Sequence, residues 1–201
     1  MTISVQVDSN AWNFFFDRNI DLSRELPSED FTLFITREVE IEIGAIPDDG
    51  KDGLDKRPLK RYIHESITRN QVMTTATFGF AEANPADGLG TYAGFGHGTF
   101  QSEKERDWYA REKVKSNILG KPKKGSGLSA NQADTAVSAA SFDCIVLTCD
   151  MKSGPISEAE KAGGKVVFLS DTLLASQSLK LILHSIATHR AARSMEPGIA
   201  K

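Results

Sequence analysis

Four acidic residues far apart in the chain, Asp8, Glu42, Asp134 and Asp150, stand where their carboxylates can meet. Asp8 follows the alternating run Ile3, Val5, Val7, and Asp150 follows an apolar run that ends in Leu147, Thr148 and Cys149, so each lies where a strand stops. Asp134 sits near the start of the helix leading into that second strand, and Glu42 lies on the helix after another strand. In an open parallel sheet the site forms in the crevice outside the carboxyl ends of the strands, which lets the four converge. Carboxylates forced together repel, and each pKa rises unless a cation neutralises the cluster. Oxygen-only ligation points to Mg²⁺ or Mn²⁺, since zinc would want histidine or cysteine. Such an ion lowers the pKa of a bound water and orients it towards a phosphodiester, so no protein nucleophile is required. Glu38, one helical turn before Glu42 on the same face, is the alternative helix acid.

The elements that must position these acids alternate between strand and helix. After the first strand, an aromatic segment from Trp12 to Phe16 has helical character. Phe31 to Ile35 is a second strand, and Thr36 caps a helix through Glu38, Glu42 and Ala45 that Pro47 closes. Ser129-Ala-Asn-Gln132 has the form of a capping box, and Ala133, Ala136, Val137 and Ala140 give the following helix a small-residue face for close packing on a sheet. Cys144 to Leu147 and Lys165 to Leu169 are buried-type strands on either side of a helix from Ser157 to Ala162. One helix is expected from Gln101 to Leu119, and a final amphipathic one from Leu173 to about Arg193. This pattern predicts an α/β fold with a central parallel sheet. Residues 1–201 read as a single domain, with 48–127 an insertion or elaboration before the Asp134 helix and 171–201 a C-terminal helical tail.

Composition sets limits on the chemistry. The chain has 201 residues, 40% of them hydrophobic and 25% charged, with a formal net charge of -3. Attraction to phosphates must therefore come from local basic patches or a bound metal rather than from overall charge. Lys56, Arg57, Lys60 and Arg61 form one such stretch, and Lys121, Lys123 and Lys124 form another ahead of the Asp134 helix; both are candidates for RNA contact. Cys144 and Cys149 sit an odd number of residues apart on one strand and its exit, which argues against a disulfide or zinc site and agrees with a reducing, cytoplasmic setting. No apolar run has the length of a membrane span, and the first residues lack a basic leader, so no membrane partner is expected.

At Val7-Asp8-Ser9-Asn10, Val39 to Ile43 with Glu42, Asp134-Thr135-Ala136-Val137 and Leu147-Thr148-Cys149-Asp150, the chain resembles the PIN domain nuclease family. The resemblance covers roughly Ile3 to Pro47 and Leu128 to Leu169. It implies a three-layer α/β/α fold, Mg²⁺ or Mn²⁺ dependence and hydrolysis of RNA, as in ribonuclease toxins of bacterial toxin-antitoxin pairs. It also implies that Asp8, Asp134 and Asp150 bind metal with Glu42, and that Ser9 and Thr148 brace them by hydrogen bonds. Many members carry a further acid after the position of Asp150, where Met151, Lys152 and Ser153 stand here, so one well-bound ion is expected rather than two. A protein antitoxin is the partner such a setting implies, and the amphipathic helix from Leu173 to about Arg193 offers a surface on which a homodimer could form as readily as it covers the sheet.

Two alternatives accompany this reading. One is a PIN-like module that binds RNA or protein without cleaving. The other is a phosphatase of the haloacid-dehalogenase type, which needs a second acid two residues after the first, where this chain has Asn10. Gly88, Gly90 and Ala93 imitate a dinucleotide fingerprint without the strand and helix it needs, and Gly120 to Ser126 imitates a P-loop with Ser126 in place of its lysine.

Overall fold

The strand Ile3–Val7 (β1) leads into helix Ser9–Asp17 (α1), and the short helix Leu22–Glu25 (α2) precedes the strand Phe31–Thr36 (β2). Helices Arg37–Gly44 (α3) and Arg57–Arg69 (α4) then precede four strands, Met73–Thr77 (β3), Ala81–Ala83 (β4), Gly90–Tyr92 (β5) and Gly98–Thr99 (β6). Three helices follow, Glu103–Tyr109 (α5), Glu112–Ile118 (α6) and Gln132–Ala140 (α7), and then the strand Ile145–Thr148 (β7). The chain closes with Pro155–Lys161 (α8), Val166–Phe168 (β8), Asp171–Ser176 (α9) and Leu179–Ser194 (α10). This computed structural model describes residues 2–50, 53–77, 81–83, 90–92, 98–99, 102–118, 121, 123 and 125–194.

The central sheet runs β3-β2-β1-β7-β8, with β6 extending it beyond β3, and every neighbouring pair is parallel. Strand β7, Ile-Val-Leu-Thr, is buried at all four residues, as expected of a strand covered on both faces. From β1 the chain builds outwards through β2 and β3, then returns to the opposite side of β1 with β7 and β8. The near-universal right hand of such crossovers sends the helices of the two halves to opposite faces. Accordingly, α1 packs on α4 while α10 reaches β1, and α5, α6 and α8 gather around α7. The result is a three-layer α/β fold.

The largest core cluster includes Trp12 and Phe15 of α1, Leu33 and Ile35 of β2, Ile63 of α4 and Leu183 of α10. A second, smaller cluster joins Trp108, Val114, Ala139 and Ala159 from α5 to α8. Helix α7 is buried nearly all round, at Ala133, Thr135, Ala136, Val137, Ser138 and Ala139. Its small side chains let α3 as well as α5, α6 and α8 approach it, a wider role than one small-residue face on a sheet.

Three expectations about helices are corrected. The capping box at Ser129 is only half formed. Gln132 Oε1 accepts from the Ser129 N–H at 3.1 Å, but the Ser129 hydroxyl donates to the carbonyl of Asn117 at 2.6 Å. A C-terminal carbonyl of α6 has taken the group that would have capped α7. The helix expected from Gln101 to Leu119 is two helices, α5 and α6, and α5 carries a complete capping box between Ser102 and Glu105. The C-terminal helix is likewise two, because Gln177 is extended at φ -154 and ψ 152 and the Ser178 hydroxyl accepts from the Leu181 N–H to start α10. Among the described residues no helix is long and apolar enough to cross a membrane.

Candidate functional site

Parallel pairing of Val5 with Ile145 and Val7 with Leu147 brings the ends of β1 and β7 level. The next residue of each strand is then forced to its neighbour's side, and the Asp8 N–H donates to the Leu147 carbonyl at 3.0 Å. This is where the strand order reverses, the position at which open α/β sheets place their sites. Asp8 is 1% exposed. Its Oδ1 accepts the Ser9 N–H at 2.7 Å, capping α1, and its Oδ2 accepts the Thr148 hydroxyl at 2.7 Å. The Thr148 oxygen in turn accepts the Asp150 N–H at 3.0 Å, and Asp150 Oδ1 accepts the Lys152 N–H at 3.0 Å. One hydroxyl thus ties the carboxylate after β1 to the backbone of the acid after β7.

Glu42 and Asp134 enter from α3 and α7, which pack on one another. Thr36, the last residue of β2, caps α3 by accepting the Val39 N–H at 3.2 Å, and the helix carries Glu42 to the same edge. Burial and the charges of Asp134 and Glu42 push Asp8 up to about 6, against the pull of the Thr148 hydroxyl and the Ser9 N–H. Burial, then Glu42 and Asp150, raise Asp134 above the usual carboxylate range, and Lys123 draws it back down. Asp8 and Asp134 are thus each raised by two neighbouring acids. No lysine or arginine pairs with Asp8 among the described residues. Lys123 Nζ instead meets Glu42 Oε1 at 3.2 Å.

The donor set, all carboxylate oxygen with one member deeply buried, fits a hard divalent ion in its chemistry. The acids are spaced more widely than a closed ligand shell: among the described residues, no group of three or more His, Cys, Asp or Glu stands ready to hold an ion. Glu42 is the helix acid whose charge raises both Asp8 and Asp134, while Glu38 lies half-buried in the first turn of α3.

The bracing residues differ in how they act. Thr148 braces Asp8 through its hydroxyl, whereas Ser9 does so through its backbone N–H and also lines an adjoining cleft. Asn10 was not legible as a site residue, yet its Oδ1 accepts the Cys149 N–H at 2.6 Å and lies 3.2 Å from the Thr148 hydroxyl. A side-chain amide two residues after a strand-end acid was the only signal for this clamp. With its oxygen so engaged and no acidic proton to give, Asn10 cannot supply the leaving-group acid of a dehalogenase-type phosphatase. Burial and the nearby Asp8 push the Cys149 thiol up to about 11, so it stays protonated near neutrality and is no nucleophile. Cys144, pushed up to about 11 chiefly by burial, is equally inert, and both cysteines are free.

The basic candidates separate. Lys56 is half-buried and lines the cleft beside Glu42. Arg57 pairs with Asp55 and Lys60 with Asp48, while Arg61 and Lys121 are exposed. Lys123 is drawn into the acid cluster, and Lys124 lies outside the described residues. No family model matches the chain, and neither does any curated protein or solved structure.

Proposed function

We propose that the protein is a metal-dependent ribonuclease that hydrolyses RNA phosphodiester bonds with a metal-activated water. The observation that carries this reading is Asp8, a fully buried carboxylate held only by neutral donors while two other carboxylates raise its pKa. That arrangement is costly without a cation, and capping α1 does not require burying the charge beside two other acids. Asp8, Asp134 and Asp150 would hold Mg²⁺ or Mn²⁺, joined by Glu42 once it leaves Lys123. The ion, when bound, supplies a water of lowered pKa and charge stabilisation at the phosphoryl oxygens. The residues themselves do the positioning. Thr148 and the Ser9 N–H fix both oxygens of Asp8, and Asn10 holds the exit of β7 so that Asp150 keeps its register beside it. Lys123, released from Glu42, is placed to meet a phosphate.

RNA as substrate rests on the resemblance to PIN nucleases, as do a toxin-like role and a protein antitoxin as partner. One observation favours the second reading, a PIN-like module that binds without cleaving: Lys123 already neutralises Glu42. Single-stranded RNA incubated with Mn²⁺ separates the two. The nuclease reading expects cleavage that EDTA abolishes and that Asp134→Asn lowers by more than about 100-fold. Equal cleavage by Asp134→Asn, or RNA bound but intact with Mn²⁺ present, would count against it.

A further inference from the structure

Beside Glu42 lies a cleft of about 530 Å³ between α1, α3 with the turn after it, and the start of α4. Its size is in the range of pockets that enclose one small organic ligand. Ile43, Ile46, Pro47 and Leu59 give it apolar walls, and Asn10, Asn13 and Lys56 give it polar corners. Ser9 and Glu42 also line it, so it is continuous with the acid site.

The polar corners have a definite sense. The Cys149 backbone N–H can only donate, so the Asn10 atom that meets it must be the amide oxygen. The Asn10 Nδ2 is then a donor in fixed orientation, with no hydrogen bond of its own among the described residues. Lys56 is a second donor, and Asn13 is exposed and offers an amide of either sense. Aliphatic walls with a few donors at the edge can pack against an unstacked base while the donors meet its edge, the part by which single-stranded RNA is read.

We propose that this cleft is the subsite for the base next to the scissile phosphodiester, and that Asn10, Asn13 and Lys56 favour uracil, which presents two carbonyl acceptors, over guanine and cytosine, which present one each, and adenine, which presents none. The proposal rests on the ribonuclease reading and adds to it where the substrate sits and what it selects.

Two arms test it. In EDTA, a short single-stranded RNA carrying one 5-iodouracil, which keeps both carbonyls, is photocrosslinked to the protein and the adducts are mapped by mass spectrometry. Crosslinks are expected in residues 9–13 and 43–47, at least fivefold weaker when Asn13→Ala and Lys56→Gln are combined. Crosslinks confined to other surfaces, or an unchanged yield in the double variant, would overturn the subsite. With Mn²⁺, cleavage of an RNA pool should favour uracil beside the cut, and the double variant should flatten that preference. Cleavage whose base preference is the same in both proteins overturns the subsite and leaves the ribonuclease reading standing. Crosslinks in the cleft without Mn²⁺-dependent cleavage support base binding there and overturn the ribonuclease reading.

Discussion

Around α7 and at the carboxyl edge of the sheet, the protein buries polar side chains on opposite terms. Beneath α5, Trp108 is 1% exposed, its Nε1 donates to the Ser138 hydroxyl at 2.9 Å, and that hydroxyl donates to the Thr135 carbonyl. Ser141 donates in the same way to the Ser138 carbonyl, and of this group only the Thr135 hydroxyl lacks a partner. These are neutral groups satisfying one another, an arrangement that costs little and rigidifies the packing. At the edge, Asp8 is as deeply buried as Trp108 but faces further carboxylates. The first region is built for stability, and the second holds charge at a stability cost that is relieved when Asp8 is neutralised, by a proton or, under the proposed function, by a cation.

Substitutions on either side of this contrast should move in opposite directions. The largest effect belongs to Trp108→Ala, which leaves a cavity and takes the indole donor from the Ser138 hydroxyl, and should cost about 3–5 kcal/mol in urea denaturation. A loss below 1 kcal/mol would mean that α5 is not anchored there. Asp8→Asn should do the reverse. Burial pushes the folded carboxyl up to about 6 from its ordinary 3.8, so the folded state binds the proton more tightly. Stability is then highest below the unfolded value, falls as pH rises from 3.8 to about 6, and stays lower by about 3 kcal/mol above that window. In EDTA near neutral pH, Asp8→Asn should therefore be the more stable protein by up to that amount, and its pH slope in the same window should shrink. A variant less stable than wild type would show that Asp8 does not carry the strain assigned to it.

Gly164→Ala comes next. A Cβ there would lie 2.2 Å from the Ser141 hydroxyl and 2.9 Å from the Ala159 carbonyl, and the latter is backbone that cannot easily yield. Overpacking at this junction of α8, β8 and the end of α7 should cost about 1–3 kcal/mol, read from the thermal midpoint. Lys123→Gln should be smallest. Its pair with Glu42 is partly exposed, worth under about 1 kcal/mol to the fold, and its loss should tighten Mn²⁺ binding by up to about fivefold. Weaker Mn²⁺ binding in that variant would reverse the role given to Lys123.

What could be read from the residues divides along similar lines. β1, β2, β7 and β8 carry alternating or continuous apolar runs, and their carboxyl ends display Asp8, Thr36 and Asp150 in plain order. β3 is Met-Thr-Thr-Ala-Thr, with no apolar run to betray it. α4 buries only Leu59, Ile63 and Ser66 among many charged residues, so both elements were hidden within residues 48–127. Local signals failed where a distant group competed. Ser129 looked like a cap until Asn117 claimed its hydroxyl, and Lys123 looked like a free surface cation until folding set it 3.2 Å from Glu42, 81 residues away. Asn10 belongs to the same class, since its partner Cys149 lies across the sheet. Asp8 and Asp150 stand where the sequence places them because their positions follow from the ends of β1 and β7. Their partners were not legible, because those depend on how strands and loops meet.

The central claim is that the edge carboxylates wait for a divalent cation, and calorimetric titration of Mn²⁺ near neutral pH tests it most directly. Wild type is expected to take up about one ion per chain, more weakly below pH 6 where Asp8 holds its proton, with binding lost in Asp8→Asn and in Asp134→Asn. No uptake by wild type, or equal uptake by Asp8→Asn, would contradict the account.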